Sequence, residues 1–243
     1  MAVPGLGQDD GPESDSGCVR RLTYQNDRFV GKGSMPKAGS ISALGRYSRI
    51  MFMRLIVYYI YLLLVWGCFR YFVRLPEVIE ELWFKPVIWL VPLFWWRMSL
   101  GGKPKLFNNK WFLSGGLGLL VGILFFSLIR IFGIRGEGVL DLNLLGVVLA
   151  TAVVEELTFS GFILGLMDKF YKIKQVNLVM VGLMVVGVHL PINIFVYGVG
   201  GRELLGVVVW LFSVAVINGW VRQKTGNVVG SIIARFVLML AVL

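Results

Sequence analysis

Apolar residues in this chain come in long unbroken runs, not at helical or strand spacing. Seven runs stand out, at roughly 50–72, 84–100, 111–134, 140–167, 176–198, 203–221 and 227–243. About 20 apolar residues in a helix cross the ~30 Å hydrocarbon layer of a bilayer. Within lipid only helices and closed barrels satisfy their own backbone. The pattern therefore predicts an all-α polytopic transmembrane bundle of about seven spans. The second run, FKPVIWLVPLFWWRMSL, is short and carries Pro86, Pro92, Trp89, Trp95 and Trp96. It reads either as a span or as an interfacial or re-entrant piece. The last run reaches Leu243 without a polar flank, so it either ends in the membrane or stops short of the natural terminus.

Composition agrees. The chain has 243 residues, 57% of them hydrophobic, and a mean hydropathy of +0.76, too apolar for a soluble globule. Thirty glycines suit closely packed membrane helices. Residues 1–48 differ from the rest. GLGQDDGPESDSG is acidic and turn-rich, and the stretch from Arg20 to Arg49 is basic. This region is expected to be a disordered basic cytoplasmic tail, with residues 49–243 forming the transmembrane domain. No cleavable signal precedes the first run, which reads as an uncleaved anchor.

The net charge of +10 lies in the tail and loops, where retention on the cytoplasmic side explains it. No basic-aromatic motif accompanies it, so nucleic acid is not an expected partner. With the N-terminus in the cytoplasm, the inner loops hold nine basic residues (Arg97, Lys103, Lys105, Lys110, Lys169, Lys172, Lys174, Arg222, Lys224). The outer loops hold six (Arg70, Arg74, Lys85, Arg130, Arg135, Arg202). Cys18 and Cys68 lie in different environments and suggest neither a disulfide nor a metal site.

The candidate chemistry lies in the polar residues within the runs. Glu155 and Glu156 are adjacent in the fourth, His189 is the only histidine and lies in the fifth, and Arg235 is in the last. Ionisable groups at such depth are costly and by default mark a site. At ~1.5 Å rise per residue, Glu155, His189 and Arg235 lie ~17, ~20 and ~12 Å from the inner ends of their helices. They are expected to meet in one cavity open to the cytoplasm. A carboxylate beside an imidazole can activate water. The same pair, Glu155 and His189, are candidate metal ligands, for a divalent ion such as zinc, and a metal-free mechanism fits equally well. Each residue also has a structural reading: His189 as an interhelical hydrogen bonder, Arg235 as the counter-ion of a glutamate, Asn193 and Asn218 as links between helices.

Glu155-Glu156-Leu157-Thr158-Phe159-Ser160-Gly161 resembles the first motif of the CPBP family, the CAAX-processing and bacteriocin-processing (Abi-type) intramembrane proteases. That motif is a Glu pair followed by an apolar stretch and Arg-Gly. The second motif, Phe-x-x-x-His, is similar to Val185-Val186-Gly187-Val188-His189, 34 residues on from Glu155. A Thr-Gly turn precedes the third motif, His-x-x-x-Asn, and Thr225-Gly226 stands at that turn. Arg235 then occupies the His position and Met239 the Asn position, while Ser160 replaces Arg and Val185 replaces Phe. The resemblance covers about residues 110–243. It implies an endopeptidase of a bacterial or archaeal plasma membrane that cleaves a membrane-associated, lipidated or unlipidated, peptide. Glu155 would be the general base, Glu156 its support, His189 a partner in holding the water, and Arg235 a substitute electrostatic stabiliser. A catalytically inactive relative acting in immunity or scaffolding is the alternative. A small proton-coupled carrier finds less support, since the halves show no inverted repeat.

Overall fold

The computed structural model describes residues 38–73, 75–99, 106–131 and 141–242. The chain divides into two units, Met1–Ala43 and Leu44–Leu243. Of the first, only residues 38–43 are described; all that follows concerns the second.

Every regular element among the described residues is helical. Helix α1 (Ala38–Tyr61) runs through a π-helical turn (Leu62–Trp66) into α2 (Gly67–Phe72). After a short break come α3 (Glu77–Ile79), a π-helical turn (Glu80–Phe84) and α4 (Lys85–Ser99). Then follow α5 (Trp111–Ile131), α6 (Leu142–Glu156), a third π-helical stretch (Leu157–Ile163) and α7 (Leu164–Phe170). Helices α8 (Lys174–Phe195), α9 (Gly201–Thr225) and α10 (Val229–Val242) complete the bundle. Short connections make α8 and α9, and α9 and α10, packed neighbours.

Among the described residues, five continuous helical stretches are long and apolar enough to cross a membrane: Arg49–Phe72, Trp111–Ile131, Leu142–Phe170, Lys174–Phe195 and Gly201–Thr225. Seven such spans were expected. The run at 84–100 belongs to a helical stretch whose first turns carry Glu77, Glu80, Glu81 and Lys85, which dilute its apolar character. Helix α10 has 14 residues, or ~21 Å at 1.5 Å per residue, less than the ~30 Å of hydrocarbon. Helix α1 begins at Ala38, inside the expected tail, because Ala38–Ser48 contains no proline and continues the helix backwards. The rest of that expected tail, residues 1–37, lies outside the described residues.

The bundle has a clear centre. In Leu142–Phe170, 83% of the most apolar window is buried inside the protein, against 28% to 39% in the other four spans. The glutamate pair therefore rides on the helix that the others surround. Helices α1 and α4 close one side of it through Tyr58, Leu62, Trp66, Trp89 and Leu93, which share a core with Phe159, Phe162 and Val185. Pro92 lies inside α4 and has no N–H for the carbonyl four residues before it, that of Ile88. The Tyr61 hydroxyl donates to this Ile88 oxygen at 3.2 Å, and Tyr58 donates to the Trp89 oxygen at 2.8 Å. The two tyrosines thus tie α1 to α4 at this turn.

Helix α10 is held from behind by α5. Ser114, Gly118 and Gly122 recur every fourth residue, the small-residue spacing that lets membrane helices approach closely. Gly118 faces the Gly230 backbone with no room for a Cβ, and Gly122 faces Ala234 and Val237. Ser114 Oγ accepts from Gly230 N at 2.9 Å and donates to Thr225 Oγ1 at 3.0 Å. The turn between α9 and α10 needs Gly226, whose φ of +68° is left-handed and costs a side-chain-bearing residue strain.

Gly118→Ala should lower stability by ~1–3 kcal/mol, as overpacking against immovable backbone does. Gly116→Ala, on the same helix with open space around it, should change nothing. Thermal unfolding in detergent checks the pair; equal midpoints would contradict the close approach.

Candidate active site

The four residues singled out from the sequence lie in one ion-pair network. Glu155 and Glu156 are the last residues of α6 and are 1% and 2% exposed. Because they are adjacent on a helix they point to different sides, and the π-helical stretch that follows sets the wider turn there. Arg235, on α10, reaches both: its guanidinium donates to Glu155 Oε2 and, at 3.3 Å, to Glu156 Oε1. The network occupies two of its nitrogens; Nε has no hydrogen-bond partner among the described residues.

Glu156 is further held by Asn218 Nδ2 at 2.8 Å and by the Ser160 hydroxyl. Asn218 therefore does link helices, as expected. Ser160, where the resembled motif has Arg, becomes a short donor to the carboxylate one turn before it. Asn193, the other expected link, stays on its own helix and donates to the His189 carbonyl at 2.8 Å.

His189 Nε2 lies 3.3 Å from Glu155 Oε1, and Nδ1 lies 2.9 Å from the Val185 carbonyl oxygen. A carbonyl only accepts, so that contact assigns the hydrogen to Nδ1. In the neutral ring Nε2 is then a bare acceptor beside a carboxylate oxygen. Two acceptors so placed suit the hydrogens of one water.

Sequence reasoning missed a second half of the network. Lys85 Nζ donates to Glu155 Oε1 at 2.7 Å and to Glu81 Oε2 at 2.7 Å. Thr151 Oγ1 donates to the same Glu81 oxygen at 2.7 Å. Arg70 pairs with Glu80 and Tyr197, and lies 3.9 Å from Glu81. Arg70 and Lys85 were expected in outer loops; both sit in helices against these carboxylates. The signal was present in Glu81 and Lys85, an opposite-charge pair at i, i+4 spacing, just before an apolar run. Four carboxylates (Glu80, Glu81, Glu155, Glu156) meet three cations (Arg70, Lys85, Arg235). The formal balance of these seven groups is one negative charge.

Glu155, His189, Arg235, Lys85 and Met239 line a cavity of about 360 Å³, within the size range of small-ligand sites. Glu156 does not line it, so its reach is through Arg235. The cavity also takes in Arg70, Glu77, Leu144 and Tyr197, all at the bundle end that carries the breaks after Phe72 and Phe195. His189 is ~9 Å from that end of α8 and ~22 Å from the Lys174 end at 1.5 Å per residue. A cavity reached from the lysine-bearing loops was expected; the structure places it toward the opposite end, because His189 lies past the middle of its helix.

The site does not fit a bound metal. Zinc requires unclaimed, deprotonated ligands, commonly three from the protein. Here Glu155 Oε1 is held by Lys85 and Oε2 by Arg235, and cations on both oxygens compete with a third. Among the described residues no group of three His, Cys, Asp or Glu side chains is placed to hold an ion.

Residues 137–241 match a family model, described as type II CAAX prenyl endopeptidase Rce1-like. That model is one of the CPBP family. A search of curated proteins and a search of solved structures each return no match. The matched segment carries Glu155, Glu156, His189 and Arg235 and excludes Arg70, Glu80, Glu81 and Lys85.

Asn218→Leu should cost ~1.5–3 kcal/mol, the worth of a hydrogen bond to a buried charged group. Denaturation in mixed micelles measures it. A loss below ~0.5 kcal/mol would mean that Asn218 does not hold Glu156.

Proposed function

With an Rce1-like domain at residues 137–241 as the premise, we propose that the protein is an intramembrane endopeptidase of the CPBP type. It hydrolyses a peptide bond of a membrane-associated peptide or protein by water activated between Glu155 and His189. One observation carries the reading: Glu155 Oε1 and His189 Nε2 face each other at 3.3 Å on the wall of one cavity.

The chemistry follows from the donors present. Water enters between the two acceptors and attacks the scissile carbonyl carbon. Glu155 takes the proton that the attack releases. The new C–O bond forms as the carbonyl π pair moves onto its oxygen. Arg235, a fixed cation in a water-poor site, stabilises that oxyanion through N–H donors that the two glutamates leave uncommitted, Nε–H among them. Collapse of the tetrahedral intermediate breaks the C–N bond, and the proton held by Glu155 passes to the leaving nitrogen. The products are one new carboxyl terminus and one new amine. His189 holds the water in line, with Val185 O fixing the ring through Nδ1. Glu156, closed off from the cavity, sets Arg235 and takes no proton. No step needs a metal ion.

Support for an active enzyme over an inactive relative comes from the cavity itself. Arg235 and Met239, the two departures from the third motif, both stand on its wall, so the altered positions still face the place a substrate would occupy.

The test uses the purified full-length protein with a pool of lipidated and unlipidated peptides. Wild type should cleave, and a chelator should not slow it. Glu155→Gln and His189→Ala should each lower kcat by ~10²–10⁴-fold, the scale of a lost acid–base group. Cleavage by Glu155→Gln at the wild-type rate would refute the mechanism. A silent wild type, with cleavage gained in an Arg235→His, Met239→Asn double variant, would assign the protein to the inactive alternative.

A further inference from the structure

We infer that Lys85, which lies outside the Rce1-like segment, is a positioning residue of this reaction: it fixes the carboxylate of Glu155 in the orientation that receives the water proton. The inference rests on the endopeptidase reading above.

Lys85 is 3% exposed and reaches the site from the first turn of α4. Its ammonium joins Glu81 and Glu155 at 2.7 Å each. It also lies 5.8 Å from the Trp66 ring centre and 5.4 Å from that of Trp89, so apolar faces bound the rest of its surroundings. Glu81, its second partner, is itself held by Thr151, which sits one turn before Glu155 on α6. Lys85 is thereby tied to two helices at once, and its position is set independently of Glu155.

Charge balance does not account for it. Glu81 and Lys85 together add one negative and one positive charge, and leave the local sum unchanged. Burying such a pair costs desolvation that its own attraction only partly offsets. Arg235 already supplies the cation that Glu155 and Glu156 share. What the pair adds is direction. An ionised carboxylate has about four lone-pair sites. Arg235 holds Oε2 and Lys85 holds Oε1, so rotation of the group about its terminal bond is blocked at both oxygens. Oε1 keeps its approach to His189 Nε2, the pair between which the water is placed. A loosely held carboxylate would sample other rotations, and misplacement of a reacting group by about 1 Å costs on the order of 10²-fold in rate.

The experiment replaces the ion pair as a unit. Glu81→Gln with Lys85→Met keeps net charge and approximate volume. Its unfolding temperature should fall, because Glu155 keeps only Arg235 as a cation, while the folded enzyme should hold its KM within about twofold and lose kcat by on the order of 10²-fold. Lys85→Ala is the second arm. It leaves a gap of the length of propylammonium, and millimolar propylammonium should restore part of kcat, while leaving Glu155→Gln inert. If the double variant fails to fold, this arm decides alone. A folded double variant, or a folded Lys85→Ala, that turns over at the wild-type rate overturns the inference while the endopeptidase reading stands. A wild type that does not cleave overturns both.

Discussion

An ionised glutamate at the centre of a membrane bundle is tolerated only if cations and hydrogen bonds replace the water it lost. Glu155 meets that condition through Arg235 on one oxygen and Lys85 on the other. Removing one partner of a buried ion pair costs ~3–5 kcal/mol, because the other is left uncompensated. Placement of α4, α6 and α10 is therefore coupled: each must deliver its charged residue to one point. Much of the remaining packing can be understood as holding those three helices there.

The supports are specific. Helix α10 is seated by the small-residue face of α5 through Gly118 and Gly230. Helix α4 contains Pro92, and Tyr61 and Tyr58 donate to carbonyls at and next to the break it leaves. Helix α6 passes into a π-helical stretch directly after the glutamate pair, a feature often found at functional sites. Each device places a backbone; the charges then fix the side chains. The consequence for function is a cavity that has three carboxylates, an imidazole and three cations on its wall, in a chain whose residues 137–241 match an Rce1-like family model.

The all-helical membrane class was legible because apolar runs of membrane length leave few alternatives. Glu155, Glu156, His189 and Arg235 were legible because an ionisable residue within such a run stands out. Lys85, Glu81 and Arg70 were not, since they stand at the edges of runs, where charge ordinarily means water. Their burial depends on α4 leaning against α6, a tertiary fact with no local signature. The direction of the cavity was legible in part: at ~1.5 Å per residue the run at 176–198 is ~33 Å long, so ~20 Å from its inner end already puts His189 past the middle.

The central claim is that Glu155 and Arg235 are bound to one another at the heart of the bundle, and that the site is built around that bond. A double-mutant cycle tests it most directly, with unfolding free energies measured for wild type, Glu155→Gln, Arg235→Met and the two combined. The account predicts strong coupling, with the double variant at least ~2 kcal/mol more stable than the sum of the single losses implies. Losses that add to within ~0.5 kcal/mol would mean that the two residues do not form the bond on which the account depends.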